Sequence, residues 1–206
     1  LMIASNLGFG KPSFKNVYMH GFVTDVGGVK MSKSIGNIIS PYEVINKFGA
    51  DTLRYYMNSA TAGEDIGFSW DELKVKSRYL NIVWNMHKLL LNLAQENEIN
   101  PFKISLNDVT PDIGLEERYI LSRLHSTIKE TTGLFETYKL DLIIPVLDTL
   151  FLDLSRTYIQ LVREKSSQCS IDEKKVCMYT IGQVFFETLK MFQTIAPFAS
   201  EAMYLN

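Results

Sequence analysis

The sequence has 206 residues, 46% hydrophobic and 21% charged, with a formal net charge of −2 at pH 7. That length bounds the chain to one large domain or two small ones, and any grip on nucleic acid must come from local basic patches, because no global positive field exists. No apolar run approaches a membrane span, no signal peptide opens the chain, and Cys169 and Cys177 fit neither a zinc nor a CxxC pattern, so both are expected as small core residues in a reducing, cytoplasmic setting.

The chain opens on an apolar run at Leu1 and stops in mid-pattern after Tyr204-Leu205-Asn206, so it reads as a piece of a longer protein. Residues 16–23, Asn16 to Val23, read as a short strand, followed by a turn at Asp25 to Gly28 and a second extended piece from Val29 into Met31. Ser40-Pro41-Tyr42-Glu43 opens a helix with a cap serine, a proline at the first helical position and a capping-box glutamate. Gly49 suits its end. A second helix starts near Asp51, whose carboxylate can cap free amides, and runs to about Ser59. Thr61 to Ser69 is expected as a connector.

From Trp70 the pattern changes to long amphipathic helices. The first aligns Leu73, Leu80, Val83, Trp84, Leu90, Leu91 and Ala94; a polar loop from Gln95 to Pro111 follows. A helix from about Leu115 to Tyr138 aligns Leu121, Leu124, Ile128, Phe135 and Tyr138. The next, from about Ile144 to Lys165, aligns Leu147, Leu150, Phe151, Leu154, Tyr158 and Leu161, with Pro145 in its first turn. After a short loop at Ser166 to Ser170, a last helix aligns Ile181, Phe185, Leu189 and Phe192 and ends near Pro197. Such helices form an antiparallel bundle.

The sharpest chemical feature is Lys30-Met31-Ser32-Lys33-Ser34, followed by Gly36 and Asn37. Two ammonium groups three residues apart, with small hydroxyl residues between and beside them, are a set of donors for a polyphosphate. Placed cations of this kind stabilise the charge that builds on a leaving pyrophosphate. The plainer account is a solvated basic turn before a capped helix, but it leaves the pentapeptide itself unexplained.

That pentapeptide resembles the signature loop of the class I aminoacyl-tRNA synthetases. His20-Gly21-Phe22-Val23, Ser34-Ile35-Gly36-Asn37 and Phe48-Gly49-Ala50-Asp51-Thr52-Leu53-Arg54-Tyr55-Tyr56 are similar to the isoleucyl/valyl/leucyl subgroup. Glu64-Asp65-Ile66 with Phe68-Ser69-Trp70, Leu80-Asn81-Ile82-Val83-Trp84-Asn85, and Asp153-Leu154-Ser155-Arg156 resemble the isoleucyl members of archaeal and eukaryotic type. The resemblance implies a mainly α fold. A loop-bearing, stem-contact subdomain with one or two short strands, residues 1–69, would close the catalytic domain, and an anticodon-binding helical bundle would occupy residues 70–206.

It implies ATP binding by Lys30, Met31, Ser32, Lys33 and Ser34, with Lys30 and Lys33 catalytic and Met31 an apolar anchor. It also implies ATP-dependent activation of isoleucine, with Mg2+ in the full-length enzyme, and transfer to the isoleucine-acceptor tRNA; a valyl or leucyl fragment and a stand-alone tRNA-binding module are the alternative readings. This piece is expected to bind no metal of its own and, lacking the HIGH signature, the amino-acid pocket and the editing domain, to be inactive alone. Thr157, where isoleucyl enzymes often carry Trp, and Val29, where a charged residue is common, depart from the pattern.

Lys74, Lys76, Arg78, Arg123, Arg156 and Arg163 are the candidate tRNA contacts. Set against that is an ordinary solvated face with salt bridges to Glu116, Glu130 and Asp153. Asp51 and Arg54 are better explained by a helix cap and a local ion pair than by chemistry. His20, His87 and His125 are isolated, and Trp84 with Phe185-Phe186 reads as core.

Overall fold

The computed structural model describes residues 2–61 and 63–206; Leu1, which opens the apolar run, and Ala62, within the expected connector, lie outside the described residues. The chain is mainly α-helical. Helix α1 (Met2–Phe9) is followed by irregular chain up to the first strand, β1 (Val23–Thr24). The strand expected over residues 16–23 is therefore confined to its last residue. Val17 and Met19 stay exposed and find no partner strand, and an extended segment does not form a ladder without one. β1 pairs in parallel with β2 (Ile66–Gly67), Val23 opposite Ile66, and bridges to Lys30 in the antiparallel sense through Thr24. Gly21 runs so close to this second strand that a Cβ there would fall 2.0 Å from the Glu64 carbonyl oxygen.

Helices α2 (Pro41–Phe48) and α3 (Ala50–Asn58) flank Gly49, whose φ of +85° ends α2 as glycine allows. Pro41 takes the first helical position, but the capping box does not form: Ser40 makes no side-chain cap bond, and Glu43 turns instead to Lys47, 2.7 Å away. The chain around these elements closes on a small core of Val44, Tyr56, Phe68 and Leu73. Met31, Val23, Ile66 and Trp70 pack around it.

Helix α4 (Trp70–Asn97) is capped by Ser69, whose Oγ accepts from the Glu72 amide at 3.3 Å, and carries Asp71 and Glu72 against its N-terminal partial charge. At about 1.5 Å per residue it spans roughly 42 Å. Its buried stripe is Leu73, Val83, Met86, His87, Leu90 and Leu93. The stripe bypasses Leu91, which is exposed. The expected polar loop is largely helical. Two 3₁₀ turns, Pro101–Lys103 and Thr110–Asp112, flank the short helix α5 (Leu106–Val109), which Ser105 and Asp108 close with a reciprocal capping box.

Helix α6 (Leu115–Glu136) is followed by a 3₁₀ turn, Leu140–Leu142. The next helical run is interrupted: α7 (Ile143–Leu152), a π-helical turn (Asp153–Tyr158), α8 (Ile159–Leu161) and α9 (Arg163–Gln168). The wide π turn holds one residue more than an α turn, so the buried face slips by one position. Val162 is 1% exposed, and Leu161, expected in the core, is 61% exposed. The loop expected at Ser166 to Ser170 is mostly the end of α9, and Cys169, expected in the core, is exposed at its C-cap; Cys177 is buried.

Helix α10 (Ile171–Phe192) packs against α4, α6 and α9 as the most buried element, and α11 (Pro197–Leu205) folds back onto it. Pro197 thus starts a helix as well as following one. The main core joins Val83, Leu90, Ile120, Leu124, Leu147, Leu150, Phe151, Leu154, Ile181 and Phe192, and Tyr55 of α3 belongs to it too. Each such side chain contributes about 1.5–3 kcal/mol by leaving water. Among the described residues no helix is long and apolar enough to cross a membrane.

Candidate functional site

The Lys30–Ser34 segment leaves the β1–Lys30 bridge, turns at residues 33–36 and returns toward α2. Asn37 closes it. Its Oδ1 accepts from the Ser32 amide at 2.9 Å, and its Nδ2 donates to Asp25 Oδ2 at 2.8 Å. Asp25 Oδ1 in turn accepts from the Gly27 and Val29 amides, each at 2.9 Å. The Asn37 bond, then the Val29 amide, hold the Asp25 carboxyl below its ordinary range.

Met31 is half-buried against the small core, which pins the loop on one side. Ser32 Oγ and Ser34 Oγ lie 2.7 Å apart, and the Ile35 amide donates to Ser32 Oγ at 3.3 Å. Lys30 Nζ rests 4.2 Å from the centre of the Phe22 ring, a cation–π contact. Lys33 is exposed and makes no ion pair among the described residues. The loop therefore offers one solvated ammonium, a second on an exposed ring, and two hydroxyls bonded to each other, on a base fixed by side chain–backbone and amide–carboxylate bonds.

The six basic residues on the bundle divide by environment. Lys74 is exposed and pairs with Asp71 at 2.8 Å. Arg78 and Arg156 are exposed, Arg156 on the π turn, and Arg163 is exposed at the start of α9. Arg123 pairs with Asp153 at 2.8 Å, one of the three expected acids. Lys76 is not on a contact surface. It sits 3.2 Å from Asp148 with both side chains 15% exposed, its ammonium over the Tyr55 ring at 4.7 Å. Aromatic rings and α7 close over a side chain that helical position alone would leave solvated.

Burial pushes the Asp148 carboxyl up to about 7 and draws the Lys76 ammonium down. The Tyr55 hydroxyl donates to the same carboxylate. A second buried charge, Glu117, is fully covered and accepts from Lys165 at 2.9 Å, Tyr158 at 3.2 Å and the Gly114 amide at 2.9 Å. Lys165 is thereby committed to the fold, and burial pushes the nearby Cys177 thiol up to about 12.

Sequence reasoning missed Asn37 and Asp25 as the closure of the loop; their signal was only an ordinary turn and a Gly-Asn pair. The local Asp51–Arg54 ion pair is not made, because both side chains reach the α10–α11 corner. His20 turns to its neighbour's carbonyl and His87 stacks on Phe185. Among the described residues no group of three or more His, Cys, Asp or Glu side chains is placed to hold a metal.

Residues 1–69 match the family described as tRNA synthetases class I (I, L, M and V), and residues 117–206 match the anticodon-binding domain of tRNA ligase. The isoleucine–tRNA ligase of Methanosarcina barkeri is 39% identical over 98% of this chain and 20% of its own length. That of Thermococcus kodakarensis is 37% identical over 98% of this chain and 19% of its own. The chain thus spans about a fifth of the curated relatives it matches. Among solved structures, Agrobacterium radiobacter K84 agnB2 LeuRS in a ternary complex with tRNA and LeuAMS superposes with a TM-score of 0.74 and 24% identity, over 99% of this chain and 24% of that one. Mycobacterium tuberculosis methionyl-tRNA synthetase with methionyl-adenylate gives 0.77 at 18% identity, over 98% of this chain and 40% of that one. At those identities the likeness is one of fold.

Proposed function

We propose that this chain is a piece of a class I aminoacyl-tRNA synthetase, the part of an isoleucine–tRNA ligase that steadies ATP phosphates during activation and holds the tRNA stem. The supporting observation is the loop itself: a solvated lysine at position 33 and an ammonium parked on an exposed ring at position 30, on a hydrogen-bonded base. When the isoleucine carboxylate attacks the α-phosphorus, negative charge builds on the departing pyrophosphate. Lys33, and Lys30 once it leaves Phe22, neutralise that charge, while the Ser32 and Ser34 hydroxyls exchange their mutual bond for phosphate oxygens. Met31 keeps the loop root on the small core. Mg2+ accompanies the nucleotide in this reading.

On the bundle, Lys74, Arg78, Arg123, Arg156 and Arg163 supply phosphate contacts to the tRNA, and Lys76 does not. The setting is the cytoplasm, where ATP and tRNA meet. Isoleucine in place of valine or leucine is supported by the relatives named above.

The test uses the full-length parent. Lys30→Ala with Lys33→Ala should lower isoleucine-dependent pyrophosphate exchange by about a hundredfold, the loss of two charge-assisted contacts. Exchange at the normal rate in that double variant overturns the reading.

A further inference from the structure

Helix α3 follows the loop and α2 directly, and three of its side chains key it into the end of the bundle about 140 residues away in sequence. The Asp51 carboxylate accepts from the Phe198 amide at 3.4 Å and the Ala199 amide at 2.5 Å. These are the second and third residues of α11, whose own cap position, Ala196, has no side-chain acceptor. One helical turn on, Arg54 donates from Nε to the Ile195 carbonyl and from a terminal nitrogen to the Thr194 carbonyl, each at 3.0 Å. Those carbonyls belong to the turn that ends α10. Tyr55, fully buried, meets Phe192 edge-on at 5.2 Å.

A carboxylate therefore faces the partial positive start of one helix and a guanidinium faces the carbonyl end of another, from a single turn of α3. The two contacts have opposite polarity, so a slide of α3 along the corner would break both, and a slip by one turn would set charge against the wrong helix end. Plain apolar packing would allow such a slide; this arrangement fixes an angle.

We propose that Asp51 and Arg54 are positioning residues. Their clasp sets the angle between the loop-bearing helices and the α10–α11 corner, so that tRNA held on the bundle meets the same centre the loop serves. The proposal rests on the function proposed above.

In the full-length enzyme, Arg54→Ala should leave tRNA-independent pyrophosphate exchange within about twofold. It should lower kcat/KM for tRNA in isoleucylation about tenfold, a typical coupling between sites. Arg54→Lys, which keeps the charge but reaches fewer carbonyls than the forked guanidinium, should recover part of that loss. Should Arg54→Ala fail to fold, Asp51→Asn, which retains one acceptor oxygen, decides by the same pair of rates. Exchange and isoleucylation falling together, or neither moving, overturns the clasp as a positioning device. Failure of the underlying reading is seen separately, as normal exchange in the Lys30 and Lys33 double variant.

Discussion

The backbone amide of Ser32 donates to the side-chain oxygen of Asn37 across 2.9 Å, and the same Asn37 donates from its nitrogen to Asp25 at 2.8 Å. One amide side chain thus ties the middle of the lysine loop to the turn that precedes it. Asn37→Ala should lower pyrophosphate exchange in the full-length enzyme about tenfold, as expected for losing placed hydrogen bonds worth about 1–2 kcal/mol. Asn37→Asp should be worse, since it brings a second carboxylate against Asp25. Equal rates for wild type and both variants would remove Asn37 from this role.

The buried Asp148 gives the chain a pH dependence of definite sign. Between the ordinary carboxyl value near 4 and about 7, the folded chain keeps a proton that the unfolded chain has released. Stability should therefore fall as pH rises from 4 to 7, by about 1–2 kcal/mol because the adjacent Lys76 ammonium favours the charged form and tempers the effect of burial. Asp148→Asn should flatten the slope. Urea midpoints at a series of pH values check this, and an unchanged slope in the variant would assign it to another group.

The one-residue slip in the wide turn predicts opposite outcomes for neighbours. Val162→Ala should cost about 2 kcal/mol by opening space in the core. Leu161→Ala should change stability by less than about 0.5 kcal/mol, because that side chain is solvated. Thermal melts of the two variants side by side are sufficient; equal losses would place both residues on the same face.

Glu117 carries a network that packing alone does not replace. Glu117→Ala removes the shared acceptor of Lys165, Tyr158 and the Gly114 amide and should cost about 3 kcal/mol. Glu117→Gln should cost less, since it keeps an acceptor oxygen. Denaturant unfolding distinguishes the two.

What could be read in advance was what lies contiguous in sequence. Lys30 to Ser34 is a linear motif, and the periodicities of α4, α6 and α10 are carried by neighbours three and four residues apart. What could not be read depends on partners far along the chain. Asp51 looked like a cap for its own helix and is a cap for α11, 148 residues away from the amide it meets. Lys76 looked solvated until α7 brought Asp148 to it. The strand expected from Asn16 to Val23 had no neighbour to pair with, apart from its last residue, Val23. In the site, the lysines were legible and their support was not, because Asn37 and Asp25 bond to each other across twelve residues and otherwise to backbone amides that any residue would present.

The Asp153–Tyr158 turn has a consequence for how this helix tolerates changes of length. An α-helix that has absorbed a surplus residue in one place keeps the phase of everything downstream. Deleting a single residue between Ser155 and Thr157 would restore ordinary winding and leave Val162 and Lys165 aimed where they now point. The same deletion between Leu147 and Leu150 would rotate the whole downstream half by about 100° and expose its apolar side. Shortened homologues of this segment should therefore have lost their residue within the turn, and a chain trimmed there should still fold.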